Sequence, residues 1–131
     1  MIQDVRLWGA ALGLLLTATG ACAATLPLTD GTYVLEGTAC REAPFAAQFT
    51  YQSGAFSYPH ATQCRSSIAS RYGQSYVVRE TCAAAGDGTP TKADTSTTRY
   101  RVQSSDRVTL TKQYGADRSP ATYRRCSVEV N

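Results

Sequence analysis

Four cysteines spread over a small domain constrain this chain more than any other feature. They are Cys40, Cys64, Cys82 and Cys126, with 23, 17 and 43 residues between them. An even number of cysteines in a small exported domain predicts two disulfides. The spacing contains no C-x-x-C, and the sequence has a single histidine. These facts exclude the zinc-binding and thioredoxin-like patterns, and we expect neither a metal nor a cofactor.

The four cysteines can pair in three ways, and their order along the chain does not choose strictly among them. We expect Cys40–Cys64 and Cys82–Cys126, because each bond would then tie one half of the chain. The two closed loops would contribute about 3.5 and about 4 kcal/mol in the chain-entropy description. Their sum is comparable with the whole stability of a typical domain, about 5–15 kcal/mol. Cross-links therefore compensate for a thin core.

The N-terminus indicates export to the bacterial periplasm or beyond the cell. Arg6 precedes a short apolar stretch, and Ala21-Cys22-Ala23 supplies a small-residue cleavage site. We expect residues 1–23 to be a signal peptide and residues 24–131 to form a single disulfide-tied β domain. An alternative is an outer-membrane lipoprotein in which Cys22 becomes the acylated first residue and anchors the protein to lipid.

Size and charge exclude several classes of protein. Residues 24–131 provide one core and no room for a second. They carry 12 of the 13 Lys and Arg and 9 of the 10 Asp and Glu, a net charge of +3. This charge is too small to indicate a nucleic-acid partner. No segment after the signal is apolar enough to span a membrane, and we expect a monomer or a dimer.

Alternation of polar and apolar residues predicts about eight short strands rich in Thr, Tyr and Val. In the clearest run, Tyr76, Val78 and Glu80 share one face. The same pattern places Cys64, Ser66, Ile68 and Ser70 on one face of the preceding strand. Short turns favour pairing between successive strands, so we expect an all-β antiparallel meander that closes into a small barrel or an open sandwich.

Two further segments have local signals. The polar stretch 83–97, which contains Asp87-Gly88 and Pro90, predicts the longest loop, with one helical turn possible over its first three alanines. The small apolar segment 43–47 is expected to begin a strand that packs on the core, with an exposed anchor as the alternative.

No set of residues predicts an enzyme. His60 lies in a Tyr-Pro-His segment that indicates a loop, and no G-x-S-x-G or similar nucleophile motif accompanies it. The candidate carboxylates for acid–base chemistry are Glu36, Glu42 and Glu80. An inward-facing acid such as Glu80 is more often paired with an arginine than catalytic, and we expect that pairing here. A hydrolase that uses His60 is the least favoured alternative.

Arginine dominates the basic residues after the signal, with only two lysines among the twelve. Arginine binds carboxylates through two parallel hydrogen bonds and is enriched with tyrosine at protein interfaces. The pattern favours a binding face for a protein or an acidic ligand, with an ordinary solvated strand face as the alternative. The arginines that we expect on outward faces or turns are Arg65, Arg71, Arg79, Arg99 and Arg101.

The segment 67–79, with the sequence SIASRYGQSYVVR, resembles the bacterial periplasmic lysozyme inhibitors of the MliC/PliC kind. Members of that family are small β-barrels in which a Ser-containing loop, a Tyr-containing strand and a basic residue enter the lysozyme cleft. The resemblance implies that Ser70 and Tyr72 belong to the loop and that Arg79 is the basic residue. Arg71 lies between the two loop residues, and we expect it at the same partner-binding surface.

Together these features predict an exported protein that works by binding, most simply an inhibitor of a lysozyme or another cell-wall hydrolase. The alternatives are an immunity protein against a secreted toxin, a carrier of a small apolar ligand, and an envelope structural protein. A carrier should have an open interior cavity. An inhibitor should have a filled core and a protruding loop.

Overall fold

Eight strands make up most of the part of the chain that the structure describes. The structure is a computed structural model that describes residues 25–113 and 115–127; the expected signal peptide and Cys22 lie outside these ranges. Within them there is no α-helix, and two 3₁₀ helices, Cys40–Glu42 and Phe45–Ala47, lie between the first two strands. The strands are β1 (Gly31–Leu35), β2 (Gln48–Gln52), β3 (Ala55–Ser57), β4 (Ala61–Tyr72), β5 (Ser75–Ala85), β6 (Pro90–Ser104), β7 (Arg107–Lys112) and β8 (Ala121–Arg125).

The strands form one antiparallel sheet in the order β3-β2-β1-β8-β7-β6-β5-β4. Strands that follow one another in the chain pair as neighbours, except β3 and β4, and β1 pairs with β8, which joins the first strand of the chain to the last. The two outermost strands meet where Tyr58 bridges to Ala61. The expected all-β meander is therefore confirmed, and it curls into a nearly closed barrel.

One end of the barrel is filled with aromatic side chains and covered by the segment before β1. Tyr33, Tyr51 and Phe56 are almost completely buried there. The Tyr33 hydroxyl donates a 2.7 Å hydrogen bond to the carbonyl of Thr29, and the Tyr51 hydroxyl donates one of 3.1 Å to the carbonyl of Leu26. Buried tyrosines need such partners, and here the partners belong to the covering segment. We call this end of the barrel the filled end.

The two disulfides are Cys40–Cys126 and Cys64–Cys82, so the prediction of two bonds is confirmed and the predicted pairing is wrong. Cys64 and Cys82 lie directly opposite each other in the β4–β5 ladder. This register depends on a bulge at Ala69, because without the extra residue Cys64 would face Ala83. Alternation alone does not reveal a bulge.

The expected long loop over 83–97 is also wrong, since β5 continues to Ala85 and β6 begins at Pro90. Ala83–Ala85 is strand and forms no helical turn. Proline is tolerated at the first residue of a strand, where its missing N–H is not needed. Threonines then continue the ladder, with the hydroxyls of Thr81 and Thr95 2.9 Å apart across the two strands. The first part of β6 is a solvated strand, and its polar composition alone indicates a loop.

Candidate functional site

The β4–β5 hairpin carries the residues that the sequence assigns to partner binding. Gly73 adopts φ +57° in the turn, a conformation that glycine accepts without steric cost. Towards the turn the pairing shifts from Ile68–Val78 to Ser70–Val77. Ser70 therefore lies on the opposite face from Ile68, and the prediction that they share a face is wrong. The extra residue, Ala69, changes the alternation at this point.

The shift brings Ser70 and Tyr72 to the outside of the barrel, where Arg79 also lies, and separates Arg71 from them. Ser70, Tyr72 and Arg79 lie on the outer face, and the side chain of Tyr72 is 90% exposed. Arg71 lies on the inner side, where its guanidinium is 5.0 Å from the centre of the Tyr76 ring. Its Nε also donates a 3.3 Å hydrogen bond to the carbonyl of Gly73. Arg71 thus supports the turn rather than the outer surface.

The outer face of β4, β5 and β6 is basic and contains no carboxylate; we call it the arginine face. In the described chain, arginine forms salt bridges only in the pairs Arg107–Glu36 and Arg125–Asp106, so the arginines of this face have no acidic partner there. The four arginines of this face, Arg65, Arg79, Arg99 and Arg101, are exposed, as expected. The outer positions of the three strands are Arg65, Ser67, Ser70, Tyr72, Ser75, Val77, Arg79, Thr81, Thr95, Thr97, Arg99 and Arg101.

A second candidate site is a cavity of about 930 Å³ at the end of the barrel opposite the hairpin turn; we call it the cup. Its inner part is formed by side chains that point to the barrel interior, and its rim by exposed residues of β6, β7 and the adjoining loops. The inner residues include Phe49, Tyr58, Glu80, Tyr100, Leu110 and Tyr123, and the rim residues include Phe45, Lys92, Asp94, Lys112 and Asp117.

Glu80 is the charged residue in the inner part of the cup, and only 6% of its surface is exposed. Its predicted inward orientation is confirmed, but its predicted arginine partner is wrong. The residue opposite it in the ladder is Ser66, whose hydroxyl donates a 2.9 Å hydrogen bond to Oε2. The arginines of β5 and β6 occupy the alternate positions and point outward. Burial raises the pKa of Glu80, and hydrogen bonding to Ser66 and Tyr58 offsets part of that rise.

Tyrosines and a phenylalanine surround this carboxyl. The hydroxyls of Tyr58 and Tyr100 are 3.2 Å apart, and burial raises the pKa of both, so they stay protonated at neutral pH. The rings of Phe49 and Tyr123 lie 5.2 Å apart between their centres. The sequence analysis did not single these residues out, although their inward positions follow from strand alternation. Their convergence depends on the strand order of the sheet, in which β1 pairs with both β2 and β8.

The sulfur atoms near Glu80 do not create a metal site. Cys64, Glu80 and Cys82 place their ligand atoms within 4.8 Å of one another, but the two sulfurs are bonded in the disulfide. A disulfide leaves no thiolate to bind a metal ion. Their closeness is a consequence of strand register.

The other candidates from the sequence lie apart from one another. His60 is exposed in the connection between β3 and β4, with its ring 5.6 Å from that of Tyr58. Glu36 is paired with Arg107 on the surface, and Glu42 is exposed in the first 3₁₀ helix. These residues form no acid–base pair with Glu80.

The segment 43–47 matches the expected core packing at one residue and the alternative, an exposed anchor, at another. Ala43 is buried against Val34 and Cys126 on the outside of the barrel, so its predicted packing is confirmed. Phe45 is 73% exposed at the rim of the cup, so the prediction is wrong there. The second 3₁₀ helix replaces the expected strand start and turns this ring outward.

Comparison with family models, curated proteins and solved structures gave no match to this chain. The described residues include no helix with the length and apolar character needed to cross a membrane. The two disulfides are consistent with a location outside the reducing cytosol. The candidate sites are therefore the arginine face, with the adjoining hairpin turn, and the cup.

Proposed function

We propose that this protein is an exported binding protein, not an enzyme, that inhibits a lysozyme or another cell-wall hydrolase. The observation that supports this proposal is the arginine face: four exposed arginines and no carboxylate on the outer face of three adjacent strands, next to a tyrosine that is 90% exposed. Arginine and tyrosine supply most of the binding energy at many protein interfaces. Their arrangement on one surface matches that requirement.

The chemistry of cell-wall hydrolases complements this surface. Glycoside hydrolases use a pair of carboxylic residues on either side of the scissile bond. An arginine guanidinium binds a carboxylate through charge-assisted hydrogen bonds, and a serine or tyrosine hydroxyl adds further ones. A basic face without carboxylates attracts an acidic cleft and places no like charge against the carboxylates of that cleft.

The geometry of the hairpin suits insertion into a cleft. Tyr72 lies at the end of β4, directly opposite Ser75 at the start of β5. Ser70 faces Val77, and Arg79 lies two residues further along the same strand, so the hydroxyl and the guanidinium are diagonal neighbours. Because both strands are hydrogen-bonded in a sheet, little backbone freedom is lost on binding.

The proposal is tested with the mature, oxidised protein in an assay of peptidoglycan hydrolysis, against a panel of lysozymes and bacterial lytic enzymes. We expect inhibition of at least one enzyme. The double variant Tyr72→Ala/Arg79→Gln should weaken that inhibition by at least about tenfold, equivalent to about 1.4 kcal/mol. Arg41→Gln is the matched control, because Arg41 is exposed in the first 3₁₀ helix, away from the arginine face.

Two outcomes would contradict the proposal. One is the absence of inhibition of any enzyme of the panel at micromolar excess. The other is inhibition that the double variant retains in full. Binding of a secreted toxin through Tyr72 and Arg79, without inhibition of any hydrolase, would instead support the immunity-protein alternative.

A further inference from the structure

We propose that the cup binds a small organic cation, an amine or a quaternary ammonium compound, with Glu80 as its counter-ion. This site lies at the other end of the barrel from the hairpin turn. It is independent of the arginine face, and either site can be correct without the other. The inference rests on three observations: the buried carboxyl of the inner cup, its aromatic lining and its size.

The first observation is a buried carboxyl without a cation. Glu80 is 6% exposed, and the groups that hydrogen-bond to its carboxyl are the neutral hydroxyls of Ser66 and Tyr58. Among the described residues, neither salt bridge involves Glu80. Burial of a carboxylate without a counter-charge is costly, and the cost falls when a cation binds beside it. A ligand with a positive charge would complete this arrangement, whereas an anion would be repelled.

The second observation is the nature of the surrounding side chains. Rings of Phe49, Tyr58, Tyr100 and Tyr123 line the inner cup. Aromatic faces attract cations, and several rings around one site are typical of ammonium recognition. The cup thus combines a buried carboxyl with aromatic surfaces.

The third observation concerns size and the alternatives to an organic cation. A volume of about 930 Å³ is within the range of small-molecule sites. A metal ion is a poor fit, because hard cations take six or more oxygen ligands and the inner cup offers one carboxylate. A purely apolar ligand would leave Glu80 without a counter-charge. The rim carries Lys92, Lys112, Asp94 and Asp117, so it has no net charge that would exclude a cation.

The first experiment compares probes that differ only in charge, using the mature, oxidised protein and NMR titration. Choline is paired with its neutral carbon isostere, 3,3-dimethylbutan-1-ol, and n-butylammonium is paired with n-butanol. We expect at least one ammonium probe to bind at least about tenfold more tightly than its neutral partner. The shifted resonances should include those of Glu80 and Tyr123. This comparison needs no variant.

The second experiment removes the charge and keeps the shape of the side chain. Glu80→Gln should weaken binding of the ammonium probe by at least about tenfold and leave the neutral isostere unaffected. Glu36→Gln is the control, since Glu36 is an exposed carboxylate paired with Arg107 on the barrel surface. Circular dichroism and thiol titration establish that each variant folds and forms both disulfides.

Three results would overturn the inference. They are no binding of either ammonium probe, equal affinity for a charged probe and its neutral isostere, or Glu80→Gln binding that equals that of the original protein. Tighter binding of the neutral alcohols would indicate a carrier of apolar ligands. Failure to inhibit any hydrolase, together with intact ammonium binding, would contradict the proposal for the arginine face and leave this inference standing.

Discussion

The two ends of this barrel are built from the same strands but are stabilised in different ways. At the filled end, aromatic side chains pack closely and their hydroxyls bond to the segment before β1. At the cup, the same strands surround a cavity that contains a buried carboxyl. The Cys40–Cys126 disulfide packs on the outside of the barrel against Val34 and Ala43, whereas Cys82 of the other disulfide lines the cup. The comparison teaches that one barrel can pack aromatic side chains against a covering segment at one end and keep a large cavity at the other.

The largest expected effect comes from the two disulfides. Cys40 and Cys126 are 86 residues apart in sequence, and Cys64 and Cys82 are 18 apart. The chain-entropy relation gives about 4.6 and about 3.2 kcal/mol for these two loops. The double variant Cys40→Ser/Cys126→Ser should therefore lower the free energy of unfolding more than Cys64→Ser/Cys82→Ser. Urea denaturation measures both, and an equal loss would contradict a difference set by loop length.

The second effect compares one residue type in two places. Phe56 is 2% exposed in the aromatic core, whereas Phe45 is 73% exposed at the rim of the cup. Phe56→Ala should cost about 3–5 kcal/mol, because it leaves a cavity in a packed core. Phe45→Ala should change stability by less than about 0.5 kcal/mol, as is usual for a surface site. Thermal and urea unfolding of the two variants provide the measurement. A large loss at Phe45 would show that the rim supports the fold.

The third prediction concerns the carboxyl at the cup. Because burial raises the pKa of Glu80, the folded state favours its protonated form, and stability falls as the pH rises through that pKa. Glu80→Gln should therefore raise the melting temperature at pH 7. The difference should disappear below the ordinary glutamate value of 4.5. Melting curves at several pH values test this, and an unchanged difference across the range would contradict it.

The smallest expected effect has the opposite sign and lies at the filled end. Asp106 accepts a 2.7 Å hydrogen bond from Nε of Arg125, and this contact lowers the pKa of the carboxyl. Its contribution is present above the ordinary value of 3.8 and is lost as the pH falls through the lowered pKa. Asp106→Asn should slightly destabilise the protein at neutral pH and have no effect in strong acid. Melting curves at low salt provide the test, with Asp30→Asn as a second exposed carboxyl for comparison.

Local patterns predicted the strands but not their registers. Tyr76, Val78 and Glu80 alternate with a period of two, so their common face followed from the sequence. The position of Ser70 and the partner of Cys64 did not follow, because both depend on one bulge. The threonines of β6 were assigned to a loop, since a solvated strand lacks the apolar half of the pattern.

The candidate sites were predictable to different degrees. Outward arginines are visible in the alternation, and the exposed positions of Arg65, Arg79, Arg99 and Arg101 were expected. The cup was not, because Phe49 and Tyr123 are 74 positions apart in the chain and meet only when β1 pairs with both β2 and β8. Contacts of this kind depend on which strands are neighbours in the sheet. No pattern within a single strand contains them.

The extra residue at Ala69 puts the two parts of the hairpin out of phase. At the base of the hairpin the register places Cys64 opposite Cys82. At the tip the shifted register places Ser70 on the outer face, towards solvent. Without this bulge, the same residues would have one register along the whole hairpin. A single register cannot both pair Cys64 with Cys82 and place Ser70 on the outer face. The small irregularity therefore links a covalent bond to the orientation of the proposed partner-binding surface. Insertions and deletions in this hairpin should be tolerated far less well than substitutions.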